Sequence, residues 1–131
     1  MQMNIALKSA LKTDEVKRLS PLQIAELCAR AADDKKANEI KILDVSKLTS
    51  FADYFVICGA PSERQVQAIV KNVEDELSMR SIKAIGVEGK ESSSWILLDL
   101  GDVIFHCFTD AAREYYDLEG FWIDAVRLSY K

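Results

Sequence analysis

The sequence lacks a long run of apolar residues. No stretch approaches the roughly 18 to 20 apolar residues that a membrane-spanning helix needs. The first residues also lack the basic, apolar and small-residue order of a secretory signal. We therefore expect a soluble protein without membrane contact, located in the cytoplasm of a bacterium.

Cysteine is scarce and shows no pairing pattern. Cys28, Cys58 and Cys107 form an odd set without a C-x-x-C pair, and each of them lies among apolar residues. This pattern is typical of buried reduced thiols and argues against a disulfide framework or a cysteine-based metal site.

The motifs that bind phosphate or metal are also missing. The five glycines form neither G-x-x-x-x-G-K-[ST] nor G-x-G-x-x-G, and "GVEGKES" at residues 86–92 is not followed by an apolar helix. No pair of aspartates has the D-x-D spacing that places two carboxylates on one face of a strand for Mg²⁺. The sequence therefore predicts no cofactor and no metal.

Histidine occurs once, at His106, in the middle of a predicted strand. Neighbouring strand residues point to opposite faces of a sheet, so Cys107 is a poor nucleophile for this base. Cys58, on another predicted strand, remains an alternative nucleophile for this base. The residues therefore show no clear catalytic constellation.

Basic residues do not dominate the chain. The formal net charge of −4 argues against a general nucleic-acid binder, which needs Lys and Arg to neutralise phosphates. Residues 99–124 carry only Arg113 against seven carboxylates: Asp99, Asp102, Asp110, Glu114, Asp117, Glu119 and Asp124. This asymmetry favours a basic partner, although a solvated acidic surface remains the alternative.

The composition indicates one globular domain, because 49% of the residues are hydrophobic and 29% are charged. We expect residues 1–19 to be a flexible segment and residues 20–131 to form the domain. Ser20, Pro21 and Gln23 predict the start of an amphipathic helix that runs to about residue 36.

Alternating and continuous apolar segments predict five strands. They lie at residues 39–45, 54–59, 84–87, 95–100 and 103–108, and Gly101 and Asp102 connect the last two as a hairpin. A second long helix should cover residues 62–81, and Thr109 should cap a short one over residues 110–116. The expected fold is therefore of the α/β class, α+β-like, with a five-stranded mixed sheet flanked by helices.

Two long segments resemble the ribosomal silencing factor family, also called the Iojap family. They are "LDVSKLTSFADYFVICGAPSERQVQAIVKNV", residues 43–73, and "WILLDLGDVIFHCFTDAAREYYDLEGFW", residues 95–122. Together the segments contain L-D-V-S, T-S-x-x-D-Y-F, S-x-R-Q-V-Q-A, W-x-L-L-D-x-G-D and R-E-x-Y-x-L-E-x-x-W. The resemblance implies a nucleotidyltransferase-like fold without catalytic carboxylates, which agrees with the missing D-x-D pair.

The resemblance also implies a function without catalysis. Members of this family bind the large ribosomal subunit through large-subunit ribosomal protein fourteen, block subunit joining and so repress translation when nutrients are scarce. Organellar relatives are linked to assembly of the large subunit, which is the alternative function. A minor contact with ribosomal RNA and a homodimer, paired through an exposed edge strand such as "EIKILDV", are left open.

On this hypothesis the C-terminal third of the chain supplies the binding site. The predicted contacts are Trp95, Asp99, Asp102, His106, Arg113, Tyr116, Leu118, Glu119 and Trp122. Tyr116 and Trp122 are the predicted hot spots, since large aromatic anchors dominate most protein interfaces. Trp95 could instead be a core residue, and Arg113 could instead pair with a carboxylate inside the fold.

Overall fold

The computed structural model describes residues 18–130, so most of the predicted flexible segment, residues 1–17, lies outside the described residues. The elements are α1 (Pro21–Asp34), β1 (Asn38–Asp44), β2 (Tyr54–Ala60), α2 (Glu63–Met79), β3 (Gly86–Glu88), β4 (Trp95–Asp99), β5 (Val103–Thr109), α3 (Asp110–Tyr116), α4 (Leu118–Phe121) and β6 (Val126–Leu128). Between residues 18 and 130, no helix is both long and apolar enough to cross a bilayer.

Both long helices begin after a serine cap, and the cap of α1 is the predicted one. The Ser20 hydroxyl accepts a hydrogen bond from the Gln23 amide at 3.2 Å, and the Gln23 side chain accepts one from the Ser20 amide at 2.9 Å. This confirms the capping box of α1. At α2 the Ser62 hydroxyl accepts from the Gln65 amide at 3.2 Å, but the Gln65 side chain donates to the Lys35 carbonyl at 3.4 Å instead.

The strands form one mixed sheet in the order β3-β4-β5-β2-β1-β6. Only β2 and β5 are parallel neighbours, and the other four pairings are antiparallel. The predicted hairpin joins β4 to β5, and its turn is closed by the Leu100 amide, which donates to the Val103 carbonyl at 2.9 Å. Gly101 supplies the positive φ of +92° that this turn requires.

The sequence-based prediction of five strands was one strand short. The sixth strand, β6, pairs with β1 through three residues, and a short helix, α4, precedes it. Three residues are too few to show a strand periodicity, so β6 has no clear signal in the sequence. Consequently β1 is not an edge strand over residues 42–44, where β6 pairs with it; the outer strands of the sheet are β3 and β6.

The sheet divides the core into two clusters. On one side, the long helices cover side chains such as Ile42, Val56 and Phe105. On the other side, a smaller cluster includes Leu43 and Phe55, with further members Val45, Ala52, Ile57, Phe108, Ala112 and Ala125. The second side therefore carries only short elements, and this is where most of the predicted site residues lie.

Candidate partner-binding surface

The side of the sheet away from α1 and α2 carries a continuous group of contacting rings, which we call the aromatic face. Its members are Phe51, Phe55, Trp95, His106, Phe108, Tyr115, Tyr116, Phe121 and Trp122. The register explains the arrangement. His106 on β5 lies opposite Ile57 on β2 and Leu97 on β4. Two residues further along β5, Phe108 lies opposite Trp95 on β4, so the side chains of His106 and Phe108 point to the same side of the sheet.

Trp95 is held in place by contacts on several sides. Its indole N–H donates to Nδ1 of His106 at 3.1 Å. The indole also stacks on Phe108 with ring centroids 4.8 Å apart and contacts Tyr116 at 4.9 Å. Trp95 is half-buried: one part of the ring packs on Phe108 and the rest lies at the surface.

His106 is a neutral structural base in this environment. Burial lowers the pKa of its imidazole from 6.5 to about 3. Because Nδ1 accepts the Trp95 hydrogen bond, the proton lies on Nε2, which is buried and has no hydrogen-bond partner among the described residues. His106 therefore orients Trp95 and is enclosed by rings.

The cysteines do not form a nucleophile pair with this histidine. Cys58 and Cys107 face each other across the parallel strands on the side of the sheet that α1 and α2 cover. Cys58 Sγ donates to the backbone carbonyl of His106 at 3.7 Å, not to the ring. Burial raises the pKa of Cys28 to about 12 and also raises that of Cys58, so both thiols stay protonated near neutral pH.

The outer part of the aromatic face is open to solvent. Tyr116 is 52% exposed, Phe51 58% and Phe121 79%. Trp122 lies deeper, where it packs edge-on against Phe55 with centroids 5.2 Å apart, and Leu118 is half-buried next to the same cluster. Large apolar side chains that remain exposed together are typical of a surface that another molecule covers.

The structure places Tyr116, Trp122, Trp95 and His106 in this one group of rings. The charged residues of the predicted site are not part of the group and make other contacts. The Asp99 carboxylate accepts a hydrogen bond from the Gly101 amide at 2.9 Å and so stabilises the hairpin turn. Asp102, in the same turn, is exposed.

Arg113 and Glu119 are engaged inside the fold. Arg113 Nε lies 2.8 Å from Glu119, and the guanidinium also donates to the carbonyls of Asn38 at 3.3 Å and Glu39 at 2.7 Å. The Arg113 side chain is only 10% exposed. The internal pairing that the sequence left open is therefore present, and it ties α3 and α4 to the start of β1.

The predicted contacts do not include the exposed rings of Phe51, Tyr115 and Phe121 or the exposed Ile123. Phe51 lies between the predicted strands at residues 39–45 and 54–59, and Ile123, 64% exposed, follows Trp122. An aromatic residue inside the polar segment "SKLTSFAD" was the available signal for Phe51. Within residues 18–130 no group of three or more His, Cys, Asp or Glu side chains is arranged to hold a metal ion.

The fold and this surface define a small mixed α/β domain with a solvent-open aromatic face on one side of its sheet. Residues 18–131 match the family described as "Ribosomal silencing factor during starvation". The ribosomal silencing factor RsfS of Bacillus subtilis is 42% identical over 102 residues, which cover 78% of this chain and 86% of that protein. The chain belongs to the ribosomal silencing factor family, as its motifs predicted.

A solved structure and an organellar relative extend this comparison. The crystal structure of a Chromobacterium violaceum protein superposes with a TM-score of 0.77 at 38% identity and covers 79% of this chain and 87% of that one. The mouse protein named "Mitochondrial assembly of ribosomal large subunit protein 1" is 31% identical over 91 residues, which cover 67% of this chain and 40% of that protein.

Proposed function

We propose that this protein binds the large ribosomal subunit through large-subunit ribosomal protein fourteen and prevents the small subunit from joining. Translation is thereby repressed when nutrients are scarce, in the cytoplasm of a bacterium and without any catalytic step. Membership of the ribosomal silencing factor family supports the ribosomal partner, and the bacterial relative named RsfS supports the silencing role.

The observation that carries this proposal is the open aromatic face. Phe51, Tyr116 and Phe121 are exposed, while Trp95, which Tyr116 contacts, is fixed by packing and by its hydrogen bond to His106. Side chains that are already fixed in the free protein lose little conformational entropy when a partner covers them. Aromatic residues are also common among interface hot spots.

Charge supports a basic partner for the same region. Within residues 99–124 the exposed carboxylates include Asp102, Asp110 and Glu114, whereas the single arginine, Arg113, is already bound to Glu119. An uncompensated acidic surface attracts a basic protein and raises the rate of association.

The mechanism we propose is steric occlusion. A stable protein interface buries about 1,200 to 2,000 Å² in total. Once docked on the face of the large subunit that meets the small subunit, a domain of this size would occupy the space in which the small subunit must bind. No movement of the ribosome and no bound nucleotide is required.

Subunit joining followed by sedimentation tests this function. The wild-type protein should reduce the yield of joined ribosomes from purified subunits, and Tyr116→Ala combined with Phe121→Ala should restore it. Both side chains are mostly exposed, so the variant should stay folded, whereas truncation of Trp122 would also remove packing on Phe55. Ile85→Ala is the matched control because Ile85 is 75% exposed but lies beside β3, outside the aromatic face.

If the double variant stays folded and still blocks joining as well as the wild type, the aromatic face is not the docking surface. If the wild-type protein does not bind large subunits, the proposed function itself is wrong.

A role in assembly of the large subunit is the second candidate, because the mouse relative carries that role in its name. Ribosome profiles of a deletion strain separate the two functions. Accumulated precursor particles would support assembly, while normal particles with poor translational shutdown during starvation would support silencing. A third function, residual nucleotidyltransferase activity, is tested by isothermal titration with nucleotide and Mg²⁺, for which we expect no heat of binding.

A further inference from the structure

A groove of about 880 Å³ lies along α2, on the side of the sheet opposite the aromatic face. Its floor is formed by Val70, Leu77 and Ile96, which belong to the core cluster beneath the two long helices. The groove lies between α2 and residues 81–84, with Lys90 also on its wall. Its volume is within the range of about 300 to 1,000 Å³ that is usual for small-molecule sites.

The apolar part of the lining is aliphatic. Besides the three floor residues it includes Ile82 and Ala84, and no lining side chain from residues 18–130 is aromatic. A nucleobase or another flat ring is usually held by stacking on an aromatic side chain, which this lining does not supply. The groove therefore suits a slender saturated chain better than a ring.

An ion pair bridges the groove. Lys90 Nζ lies 3.0 Å from one carboxylate oxygen of Glu74 and 3.3 Å from the other. Because Glu74 lies on α2 and Lys90 follows β3, the pair joins the two walls. The methylene groups of the lysine stem can cover an apolar chain while the ammonium group stays with the carboxylate.

The lining carries one positive charge in excess, because three lysines and two carboxylates contribute to it. Lys71 pairs with Asp75 at 2.8 Å, and Lys90 pairs with Glu74. Lys83 is thus the lysine of the lining that has no ion pair among the described residues. This charge matches an occupant with a single negative group and disfavours a cation or a polyanion.

The end of the groove that contains Lys83 also supplies hydroxyl groups, from the exposed Ser78 and Ser81. The backbone carbonyls in the last turn of α2, which would repel an anion, already accept hydrogen bonds. The Leu77 carbonyl accepts from the Ile82 amide at 2.9 Å, and the Ser78 carbonyl accepts from the Ser81 amide at 2.9 Å. A carboxylate is therefore met here by an ammonium group and hydroxyls.

We propose that the groove binds a free fatty acid, an unbranched saturated chain that ends in one carboxylate. The carboxylate contacts Lys83 and the hydroxyls of Ser78 and Ser81, and the chain lies over Val70 and Ile96. This site is on the side of the sheet opposite the aromatic face, so an occupied groove leaves the proposed ribosomal contact open.

The groove is long enough for a chain of medium length. The stretch of α2 from Gln67 to Ser78 that lines it spans about 16 Å, and an extended decanoate molecule is shorter than this. Each buried CH₂ group tightens binding by roughly three- to fourfold. Affinity should therefore rise about tenfold from hexanoate to octanoate, and again from octanoate to decanoate.

Titration of the full-length protein with these three acids, each kept below the concentration at which it self-associates, tests the proposal. In a ¹⁵N-labelled sample, decanoate should shift the amide signals of Lys71, Ser78 and Ile96. The amide of Phe121, on the opposite side of the sheet, should not shift. If the groove signals do not respond, or if affinity does not depend on chain length, the proposal is overturned.

A charge reversal tests the position of the carboxylate. Lys83→Glu should weaken decanoate binding by about fivefold or more and should strengthen binding of decyltrimethylammonium. Lys35→Glu makes the same change at an exposed lysine near the other end of α2, where Gln65 donates to the Lys35 carbonyl, and should leave both affinities unchanged. Equal effects of the two variants would contradict a carboxylate at Lys83.

Vesicles of phosphatidylglycerol distinguish a free acid from a membrane surface, because both combine aliphatic chains with negative charge. The protein should stay at the bottom of a flotation gradient with these vesicles. Flotation with the vesicles that is lost in Lys83→Glu would show that this region binds a bilayer and would overturn the assignment of a free fatty acid.

Discussion

At the scale of single residues, His106 couples the stability of the fold to pH. In the folded protein, burial lowers its pKa to about 3, whereas the unfolded chain has the ordinary value of 6.5. Between these values the unfolded state binds one more proton than the folded state, so the free energy of unfolding falls as the pH falls. From pH 7 to pH 5, His106 should account for a loss of about 2 kcal/mol.

Urea unfolding of the wild type and of His106→Leu at both pH values checks this prediction. The variant should be less stable at pH 7, because the Trp95 indole N–H loses its acceptor, yet its stability should depend much less on pH. An equal loss between pH 7 and pH 5 in both proteins would mean that other groups cause the pH dependence.

Arg113 should contribute to stability more than to partner binding. Arg113→Ala removes the bonds to Glu119 and to the Asn38 and Glu39 carbonyls from a mostly buried position, so we expect a loss of about 2 to 3 kcal/mol. Arg127→Ala is the control. Arg127 lies 3.7 Å from the same carboxylate but is 44% exposed, so its loss should cost less than about 1 kcal/mol.

Thermal or urea denaturation of the two arginine variants measures this difference. If Arg113→Ala unfolds like the wild type but fails to bind large subunits, its role is in the interface after all.

At the scale of elements, the long helices depend on local signals at their starts. Ser20→Ala breaks the capping box of α1, in which the backbone amides of Ser20 and Gln23 each donate to the other residue's side chain. We expect the free energy of unfolding to fall by about 1 kcal/mol. Ser92→Ala, an exposed serine outside any helix, should change it by less than about 0.5 kcal/mol. Similar values for the two variants, measured by urea unfolding, would contradict the cap's role.

The elements that the sequence predicted are those with a local cause. The capped helices α1 and α2 and the hairpin at Gly101 were predicted because caps, apolar periodicity and a turn glycine lie within a few residues of one another. The short elements α4 and β6 lack such signals. β6 is a strand only because β1 offers it a free edge, and that pairing joins residues 42–44 to residues 126–128.

At the scale of the whole molecule, the acidic residues should control how fast the protein finds its partner. Asp102 is exposed, so Asp102→Asn should lower the rate of association with purified large subunits roughly two- to threefold and make that rate less sensitive to salt. Asp34→Asn removes another exposed charge, at the end of α1, and should leave the rate unchanged. Rapid-mixing kinetics at several salt concentrations measure both effects, and equal behaviour of the two variants would contradict steering by the acidic surface.

The sequence by itself determined the mixed α/β class, the two long helices, the hairpin and the family, because each depends on residues that are close together in the chain. Only the tertiary structure decided which rings are exposed and which charges are already paired. Tyr116 and Glu119 have similar sequence surroundings, yet one stays at the surface while the other binds Arg113. Burial depends on contacts between distant segments, and local patterns do not encode those contacts.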